Sequence, residues 1–282
     1  MKIQYLGTGA AEGFPALFCS CPACISARAL GGKNIKTRSC CLINDTVMID
    51  LSPDIFWQSI ANEISLSSIT SIIFTHTHHD HLDRFALMLR CRDGASIMPH
   101  LPDSENFIDV YGSADVIRAI HEAFATQPHA NPQRIHCHIL EENLPIEIDG
   151  LVCIPIKANH MMGETCYIYC IIDGDQAFLY GNDTGGGLDK ESFRTVIALG
   201  VTFSVVSLDC SRGTLIGDSH MGMDEISKLC GMLRENSLIT ESTVIYLNHY
   251  SHMCGIVPEE FDALIRASGM SLTYDGLTML ID

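Results

Sequence analysis

The chain has 282 residues, 47% of them hydrophobic, so it can bury a sizeable core and is too apolar for general disorder. Its 17 basic residues against 34 acidic ones give a formal net charge of −17, which disfavours a broad electrostatic contact with nucleic acid. No apolar run approaches the ~20 residues that span a bilayer, and the opening residues lack an apolar signal region. We therefore expect a cytoplasmic protein with a single domain over residues 1–282.

Short apolar runs dominate the first third of the chain. They predict strands at residues 3–6, 40–43, 47–50 and 72–75. Asn44 and Asp45 separate the second run from the third, as in a β-hairpin. Helices are predicted over 53–63, with Ser52 as the N-cap and Pro53 in the first turn, and over 115–125.

The second half of the chain repeats this alternation of strands and helices. Helices are predicted over 190–199, 223–234 and 258–267. Strands are predicted at 151–157, 165–172, 177–180, 203–208, 244–247 and 278–281. Two β-rich halves, each with its own helices, indicate an α/β fold in which two sheets are sandwiched between helix layers.

The densest cluster of ionisable side chains is the segment 75–81, which reads THTHHDH. It follows a predicted strand, where residues two apart share a face, so His76 and His78 can converge on one ion. The chain must then turn for Asp80 and His81 to reach a second position. Imidazole and carboxylate ligands suit zinc, manganese or iron, and the absence of cysteine here argues against a copper thiolate site. A polar loop after a buried strand is the alternative, and it fits this density of ligands poorly.

Residues 76–81 fit the H-x-H-x-D-H motif, through which the chain resembles the metallo-β-lactamase superfamily. Candidates for that family's other elements follow in the expected order over almost the whole chain. The resemblance implies a four-layer αββα sandwich with two divalent ions, zinc or manganese, in the active site. It also implies the roles of eight side chains: His76, His78 and His160 hold one ion, Asp80, His81 and His249 hold the second, Asp183 bridges them, and Asp50 orients the ligands from behind.

Three of these residues would not be predicted as ligands on their own, because a lone histidine or an aspartate after a strand is usually structural. They are His160, Asp183 and His249, and their order behind the motif reverses that interpretation. His79 occupies the variable position of the motif and is left out of the site. A second H-x-H, His136 and His138, lies in a predicted strand with no carboxylate beside it in the sequence, so we predict a half-exposed strand face there.

Three cysteines with the spacing C-x-C-x-x-C form a second candidate site: Cys19, Cys21 and Cys24. Thiolates at this spacing can surround one tetrahedral zinc ion when a fourth ligand is near. The chain has 13 cysteines, an odd number, so they cannot all pair with one another. Without an export signal, reduced thiols or metal ligands are favoured over a disulfide framework. A loop that carries three reduced thiols is the alternative.

The candidate fourth ligand is His252, three residues beyond His249. Together with LGTG at residues 6–9 and DCS at 209–211, this arrangement resembles the phosphoribosyl cyclic phosphodiesterase branch of the superfamily, which acts in phosphonate breakdown. The resemblance implies one structural zinc ion held by Cys19, Cys21, Cys24 and His252.

Two divalent ions can share a water, turn it into a hydroxide near neutral pH, and neutralise charge as a phosphorus or carbonyl centre is attacked. We therefore predict a metal-dependent phosphodiesterase for a small cyclic or linear phosphodiester, with Asp80 and His220 as its catalytic residues. His220 lies where phosphodiesterase branches place a histidine that protonates the leaving oxygen. A structural histidine at a helix start is the alternative for His220.

Other functions remain open on the sequence alone. They are a tRNA 3′-processing nuclease, another ester or thioester hydrolase, and a protein that binds metal without turnover. The net charge of −17 and the absence of a long basic arm argue against the nuclease. We expect a small phosphodiester as the partner, with neither membrane nor nucleic acid, and a homodimer is left open.

Overall fold

The computed structural model describes residues 1–102, 105–127 and 129–281. In this part of the chain, seven strands form a first sheet: β1 (Lys2–Gly7), β2 (Cys40–Ile43), β3 (Val47–Ile49), β4 (Ser71–Ile73), β5 (Ile108–Gly112), β6 (Ile135–Ile139) and β14 (Thr278–Leu280). Their spatial order is β14-β1-β2-β3-β4-β5-β6. Strands β14 to β3 are antiparallel, and β3 to β6 are parallel.

The predicted hairpin between β2 and β3 is present. Asn44 and Asp45 have φ angles of 48° and 64°. Two consecutive left-handed residues match the right-handed twist of the flanking strands, and asparagine and aspartate tolerate this conformation.

Seven strands form the second sheet: β7 (Ile146–Ile148), β8 (Leu151–Lys157), β9 (Tyr167–Asp173), β10 (Gln176–Gly181), β11 (Val205–Asp209), β12 (Val244–Asn248) and β13 (Met270–Leu272). Their spatial order is β13-β12-β11-β10-β9-β8-β7. Strands β7 to β10 form an antiparallel meander, whereas β10 to β13 are parallel. Each sheet therefore has a parallel half, in which the carboxyl ends of adjacent strands meet at one edge.

Seven α-helices lie in the described part of the chain: α1 (Pro22–Leu30), α2 (Ile55–Ala61), α3 (Arg84–Arg90), α4 (Ala114–Ala125), α5 (Arg194–Ala198), α6 (Met223–Glu235) and α7 (Pro258–Ile265). The sequence patterns predict α2, α4, α5, α6 and α7, with shorter or longer bounds, and miss α1 and α3. They also miss the strands β5, β7 and β13. None of the described helices has both the length and the apolar composition needed to cross a bilayer.

The predicted N-cap at Ser52 is wrong. The Ser52 hydroxyl accepts a hydrogen bond from the Asp54 amide at 3.0 Å, and its carbonyl accepts one from the Ile55 amide at 3.0 Å. These bonds form a turn that contains Pro53, so helix α2 begins only at Ile55. Helix α5 is shortened in a similar way, because the Asp189 carboxylate accepts the amides of Glu191 and Ser192 and closes a turn before the helix.

Three apolar layers hold the two sheets and the helices together. Between the sheets, side chains such as Tyr5 and Ile49 of the first sheet belong to the same buried cluster as Tyr169 and Phe178 of the second. A second cluster lies between the first sheet and the helices α2 to α4, and a third lies between the second sheet and α1, α5, α6 and α7. The fold is therefore the expected four-layer αββα sandwich.

Candidate metal centre

The predicted ligands lie where strands of the two sheets end. Asp50 follows β3, His76 comes shortly after β4, Asp183 follows β10 and His249 follows β12. Asp50, Asp183 and His249 have φ angles of 64°, 56° and 58°. This left-handed conformation is uncommon for residues other than glycine, although Asp, Asn and His adopt it more often than most. Each strand end therefore turns sharply at a side chain of the site.

Three histidines form the first group of ligand atoms. A ring nitrogen of His76, of His78 and of His160 all lie within 4.8 Å of one another. His160 Nδ1 donates a hydrogen bond to the Ser219 carbonyl at 2.9 Å, which leaves Nε2 as the nitrogen that faces the group. His160 Nε2 lies 3.2 Å from His78 Nδ1. The structure thus brings together the three residues that the sequence predicts for one ion.

Asp80, His81 and His249 form the second group, also within 4.8 Å of one another. Asp80 Oδ2 lies 3.0 Å from His81 Nε2 and 3.8 Å from His249 Nε2. The other nitrogen of each ring is held from behind. His81 Nδ1 donates to Asp50 Oδ2 at 2.7 Å, and His249 Nδ1 lies 2.9 Å from the Ser211 hydroxyl. Such partners fix the ring orientation of metal-binding histidines.

Asp183 lies between the two groups. Its Oδ2 is 2.9 Å from His81 Nε2 and 3.2 Å from His249 Nε2, both in the second group. Its Oδ1 is 3.7 Å from His160 Nε2 in the first group. One carboxylate therefore reaches both groups, each with a different oxygen, which is the arrangement predicted for a bridging ligand. We call these seven side chains the histidine–aspartate centre.

Four buried polar atoms of this centre have no hydrogen-bond partner: His76 Nε2, His81 Nε2, His249 Nε2 and Asp183 Oδ2. Asp183 Oδ2 lies 2.9 Å from His81 Nε2 and 3.2 Å from His249 Nε2 without hydrogen-bond geometry. Buried polar atoms are normally paired. Nitrogen and carboxylate atoms that converge unpaired are the donor set of zinc, manganese or iron, so the residues present fit divalent ions.

Asp50 acts behind the centre, as expected from the sequence. It is fully buried and accepts hydrogen bonds from the Thr75 amide at 2.8 Å and the Thr75 hydroxyl at 2.9 Å, besides the bond from His81. The Thr75 hydroxyl also lies 2.9 Å from His76 Nδ1. Asp50 therefore positions the start of the motif and one of its histidines.

His220 lies at the edge of the centre, and a residue missed by the sequence analysis holds it there. Its Nδ1 donates to Asp209 Oδ2 at 2.7 Å. Asp209 is fully buried and also accepts the amides of Asp183 and Ser211. The sequence analysis noted Asp209 only as part of DCS at 209–211 and gave it no role, although it ends a buried strand as Asp50 and Asp183 nearly do.

Cys19, Cys21, Cys24 and His252 also come together, with one ligand atom of each within 4.8 Å of the others. We call this group the cysteine cluster. Cys19 Sγ lies 3.2 Å from His252 Nδ1, and the Cys21 amide donates to Cys19 Sγ at 3.5 Å. All 13 cysteines are described and all are free thiols. Cys24 belongs to helix α1, so the predicted loop continues into a helix.

A family model described as the beta-lactamase superfamily domain matches residues 45–241, more than half of the chain. The chain belongs to the metallo-β-lactamase superfamily. The matched range includes the whole H-x-H-x-D-H motif, His160 and Asp183, and it ends before His249. The superfamily is one of metal-dependent hydrolases, and the histidine and aspartate groups of this chain are of a kind that could hold a metal ion.

Solved structures share this metallo-β-lactamase fold over the whole chain. A diphosphatase of the PhnP family superposes with a TM-score of 0.76 at 20% identity, over 100% of this chain and 98% of the other. Zinc-bound PqqB from Methylobacterium extorquens gives 0.73 at 18% identity, over 100% of both chains. The short form of human tRNase Z gives 0.64 at 14% identity, also over 100% of both chains. At these identities the similarity concerns the fold alone.

A curated relative is an octanoyltransferase of Porphyromonas gingivalis, 24% identical over 290 aligned positions. The alignment includes 100% of this chain but 52% of that protein, so the chain spans about half the length of the relative it matches. The acyl transfer named for the relative is a property of that longer protein. The single domain expected over residues 1–282 stays a prediction.

The histidines in and beside the histidine–aspartate centre differ in the direction of their pKa shifts. Burial opposes protonation of His81, but the carboxylates of Asp183, Asp80 and Asp50 outweigh it and raise the pKa of His81 well above its usual value. Burial and the nearby charge of His81 lower the pKa of His76 well below its usual value. Burial likewise opposes protonation of His220, yet the hydrogen bond to Asp209 raises its pKa to about 9. Metal binding at the second group must therefore displace protons.

The centre opens into a cavity of about 340 Å³. Its lining includes His78, Asp80, Asp183 and His249 from the centre, His220 at its edge, and His252 from the cysteine cluster. His79 is exposed, as expected for the variable position of the motif.

The second H-x-H forms a partly exposed face of strand β6, with side chains of His136 and His138 exposed by 49% and 39%. The expectation that it lacks a carboxylate holds only along the sequence. Asp109, on the neighbouring strand β5, lies 2.6 Å from His138 Nε2. This contact depends on the pairing of β5 with β6, which no local pattern reveals.

Proposed function

We propose that the chain is a dinuclear metal-dependent phosphodiesterase that hydrolyses a small cyclic or linear phosphodiester. The observation that carries the proposal is the set of unpaired buried ligand atoms that converge around Asp183. Two of their residues, Asp183 and His249, line a cavity of about 340 Å³ with His220 in its wall, which suits a compact substrate. The fold similarity to a diphosphatase of the PhnP family supports phosphorus chemistry without identifying the substrate.

The metal complement of the proposal is two active-site ions, zinc or manganese, and one structural zinc ion. His76, His78 and His160 would hold one active-site ion, and Asp80, His81 and His249 the other, with Asp183 between them. The cysteine cluster would hold the structural zinc, since three thiols and one imidazole are a common tetrahedral zinc set. Burial raises the pKa of Cys24 to about 12, whereas hydrogen bonds from the Cys24 amide and from His252 lower that of Cys21 to about 6.

When bound, two divalent ions polarise a phosphoryl oxygen and make a water-derived nucleophile available near neutral pH. The side chains of the chain provide the rest. Asp50 and Ser211 fix the rings of His81 and His249, so these ligands need little rearrangement during the reaction. Asp209 accepts a hydrogen bond from Nδ1 of His220, which leaves Nε2 as the ring nitrogen that can deliver a proton to the leaving oxygen.

The test compares two substrates that differ only in the leaving group. With the zinc- or manganese-loaded protein, His220→Ala should slow cleavage of an alkyl phosphodiester by about 100-fold, because a poor alkoxide leaving group needs a proton. A good aryl leaving group needs less assistance and should lose less than about 10-fold. His79→Ala is the matched control, since it removes an exposed histidine from the same motif and should change neither rate.

Other outcomes would replace the proposal. Salt-sensitive cleavage of precursor tRNA, with no activity on any small diester, would favour the tRNA 3′-processing nuclease. Turnover of carboxylic esters or thioesters alone would favour the other hydrolase class. Full metal loading without turnover of any of these substrates would favour a metal-binding protein.

A further inference from the structure

Arg212 lies in the wall of the cavity beside the histidine–aspartate centre, although no motif singles it out. It follows strand β11 by three residues and begins the loop that leads to His220. The Arg212 amide donates to the Met221 carbonyl at 3.1 Å, so the two ends of this loop are tied together. Arg212 and His220 thus occupy one closed loop at the mouth of the site.

Arg212 lines this cavity without a carboxylate partner among the described residues. Among the described residues that line the cavity, Arg212 is the only lysine or arginine, while the acidic ones are Glu12, Asp80 and Asp183. No described carboxylate lies within 4.0 Å of its guanidinium, although the chain has twice as many acidic residues as basic ones. Five other arginines do have a carboxylate within 4.0 Å, as Arg38 has Asp54 at 2.8 Å.

Its hydrogen bonds within the protein are also weak. Arg212 Nη1 donates to Met253 Sδ at 3.4 Å, and a thioether sulfur is a poor acceptor. Nη2 donates to the Ile216 carbonyl at 3.4 Å, which is long for such a bond. Arg212 Nε is buried without any partner. A planar group with five donors therefore lines a substrate-sized cavity with most of its hydrogen-bonding capacity unused.

We propose that Arg212 binds a second anionic group of the substrate, a carboxylate or a phosphate, at a distance from the phosphoryl group that is cleaved. This inference rests on the proposed function, because it assigns the phosphoryl group to the histidine–aspartate centre. The guanidinium lies more than 4.0 Å from the carboxylates of Asp80 and Asp183, so it is a separate subsite of the same cavity. The planar fork of arginine matches both carboxylate and phosphate oxygens in pairs.

Glu12, the acidic residue in the wall outside the centre, does not occupy this subsite. Its carboxylate accepts a hydrogen bond from the Ser251 hydroxyl at 2.5 Å and lies 3.9 Å from His252 Nε2. It is thereby held toward the cysteine cluster. The substrate class that follows is a compact phosphodiester with a further negative charge on the part that is not cleaved.

The experiment measures binding without turnover, by titration calorimetry on the zinc-loaded protein. Propylphosphonate offers one anionic group for the metal centre, whereas 3-phosphonopropionate and propane-1,3-diphosphonate add a carboxylate or a second phosphonate. We expect at least one of the two bifunctional ligands to bind roughly 10-fold or more tightly than propylphosphonate. The ligand that gains more identifies the second group as carboxylate or phosphate.

Three variants assign that gain to Arg212. Arg212→Ala should abolish it, and Arg212→Lys should keep only part of it, because lysine provides a point charge rather than a planar fork. Arg118→Ala is the matched control, since it makes the same change in net charge at an exposed position of helix α4 and should keep the whole gain. Metal content is measured for every variant, so that loss of zinc is not mistaken for loss of the subsite.

Equal affinity of the wild type for all three ligands, failure of all three to bind, or an equal gain in Arg212→Ala and Arg118→Ala would overturn the inference. The proposed function is judged separately by turnover. A gain that depends on Arg212, in a protein that cleaves no phosphodiester, would keep the subsite and refute the phosphodiesterase. Cleavage of a diester without any such gain would do the reverse.

Discussion

The histidine–aspartate centre and the cysteine cluster are held in place by different means. In the centre, the ligand rings are oriented from behind by neighbouring groups, as His81 is by Asp50 and His160 by the Ser219 carbonyl. In the cysteine cluster, one backbone amide, that of Ala16, donates to Cys24 Sγ at 3.3 Å, and three further supporting bonds act on the backbone. Arg28 donates to the carbonyls of Ala16, Cys19 and Cys24, at 3.2, 2.9 and 3.3 Å.

This difference predicts how each region depends on its ion. The centre is preorganised by strand ends and buried carboxylates, so losing an ion there should remove activity and leave the fold in place. The cysteine cluster connects an early segment with the turn after β12, so the proposed zinc ion would join two distant parts of the chain. Loss of that ion should therefore destabilise the chain, because metal binding there is coupled to folding.

The largest expected effect is that of Asp80→Ala. Removing a partner of metal-binding histidines typically costs 10–100-fold, so removing a direct ligand should lower turnover by more than about 100-fold. Metal analysis should show the loss of one active-site ion, while the thermal unfolding temperature stays close to that of the wild type. Unchanged metal content and turnover would refute the assignment of Asp80.

Cys21→Ser tests whether loss of the proposed zinc ion from the cysteine cluster destabilises the chain. It should release a tightly held zinc ion and lower the free energy of unfolding by about 4 kcal/mol, the linkage expected when the ion is present at roughly 1,000 times its dissociation constant. Asp80→Ala should retain this zinc. Cys137→Ser is the matched control, because its partly buried thiol lies on strand β6 outside the cluster. Zinc loss from both cysteine variants, or from neither, would contradict the comparison.

Asp209→Asn tests the preorganisation of the centre. Asparagine keeps the size of the side chain but removes the charge that accepts hydrogen bonds from His220, Ser211 and the Asp183 amide. We expect activity or metal affinity to fall by about 10–100-fold, with little change in zinc at the cysteine cluster. Metal titration followed by steady-state kinetics measures both. A variant with wild-type values would mean that the orientation of the centre does not depend on Asp209.

The smallest effect concerns Lys36, which supports the segment near the cysteine cluster without any ion. Lys36 is buried, and its ammonium donates to the Thr8 hydroxyl and the Thr273 carbonyl. Burial lowers its pKa from 10.5 to about 8, despite the nearby carboxylate of Asp275. Between these two pH values the unfolded chain binds a proton that the folded chain does not, so the contribution of Lys36 to stability rises with pH.

The measurement is the free energy of unfolding of the wild type minus that of Lys36→Met, followed by denaturant titration. This difference should increase by about 1–2 kcal/mol from about pH 8 to pH 9.5 and stay flat below about pH 7. A flat difference from pH 8 to pH 9.5 would show that folding does not lower the pKa of Lys36.

The fold class and the candidate ligands can be predicted from the sequence because residues of the ligand type lie close together or directly after apolar strands. Histidines in a short motif, and carboxylates or histidines directly after apolar strands, leave a local pattern, and the structure brings His160, Asp183 and His249 to the motif. Asp209 ends an apolar strand within the DCS of residues 209–211, but its role depends on which strands lie side by side, and Arg212 leaves no local pattern. Helix α1 was missed because its cysteine spacing was interpreted as a loop, although Pro22 at its first position is a helix-start signal.

The left-handed backbone at Asp50, Asp183 and His249 decides what a substitution at these positions measures. Asparagine tolerates this conformation, so Asp183→Asn changes the charge and the ligand atom while the chain keeps its turn. Alanine or a β-branched residue would also disfavour the backbone geometry. A measured loss of metal could then come from misfolding as well as from the missing ligand. Mutational dissection of this centre, or its redesign for another ion, therefore starts from asparagine at the two aspartates.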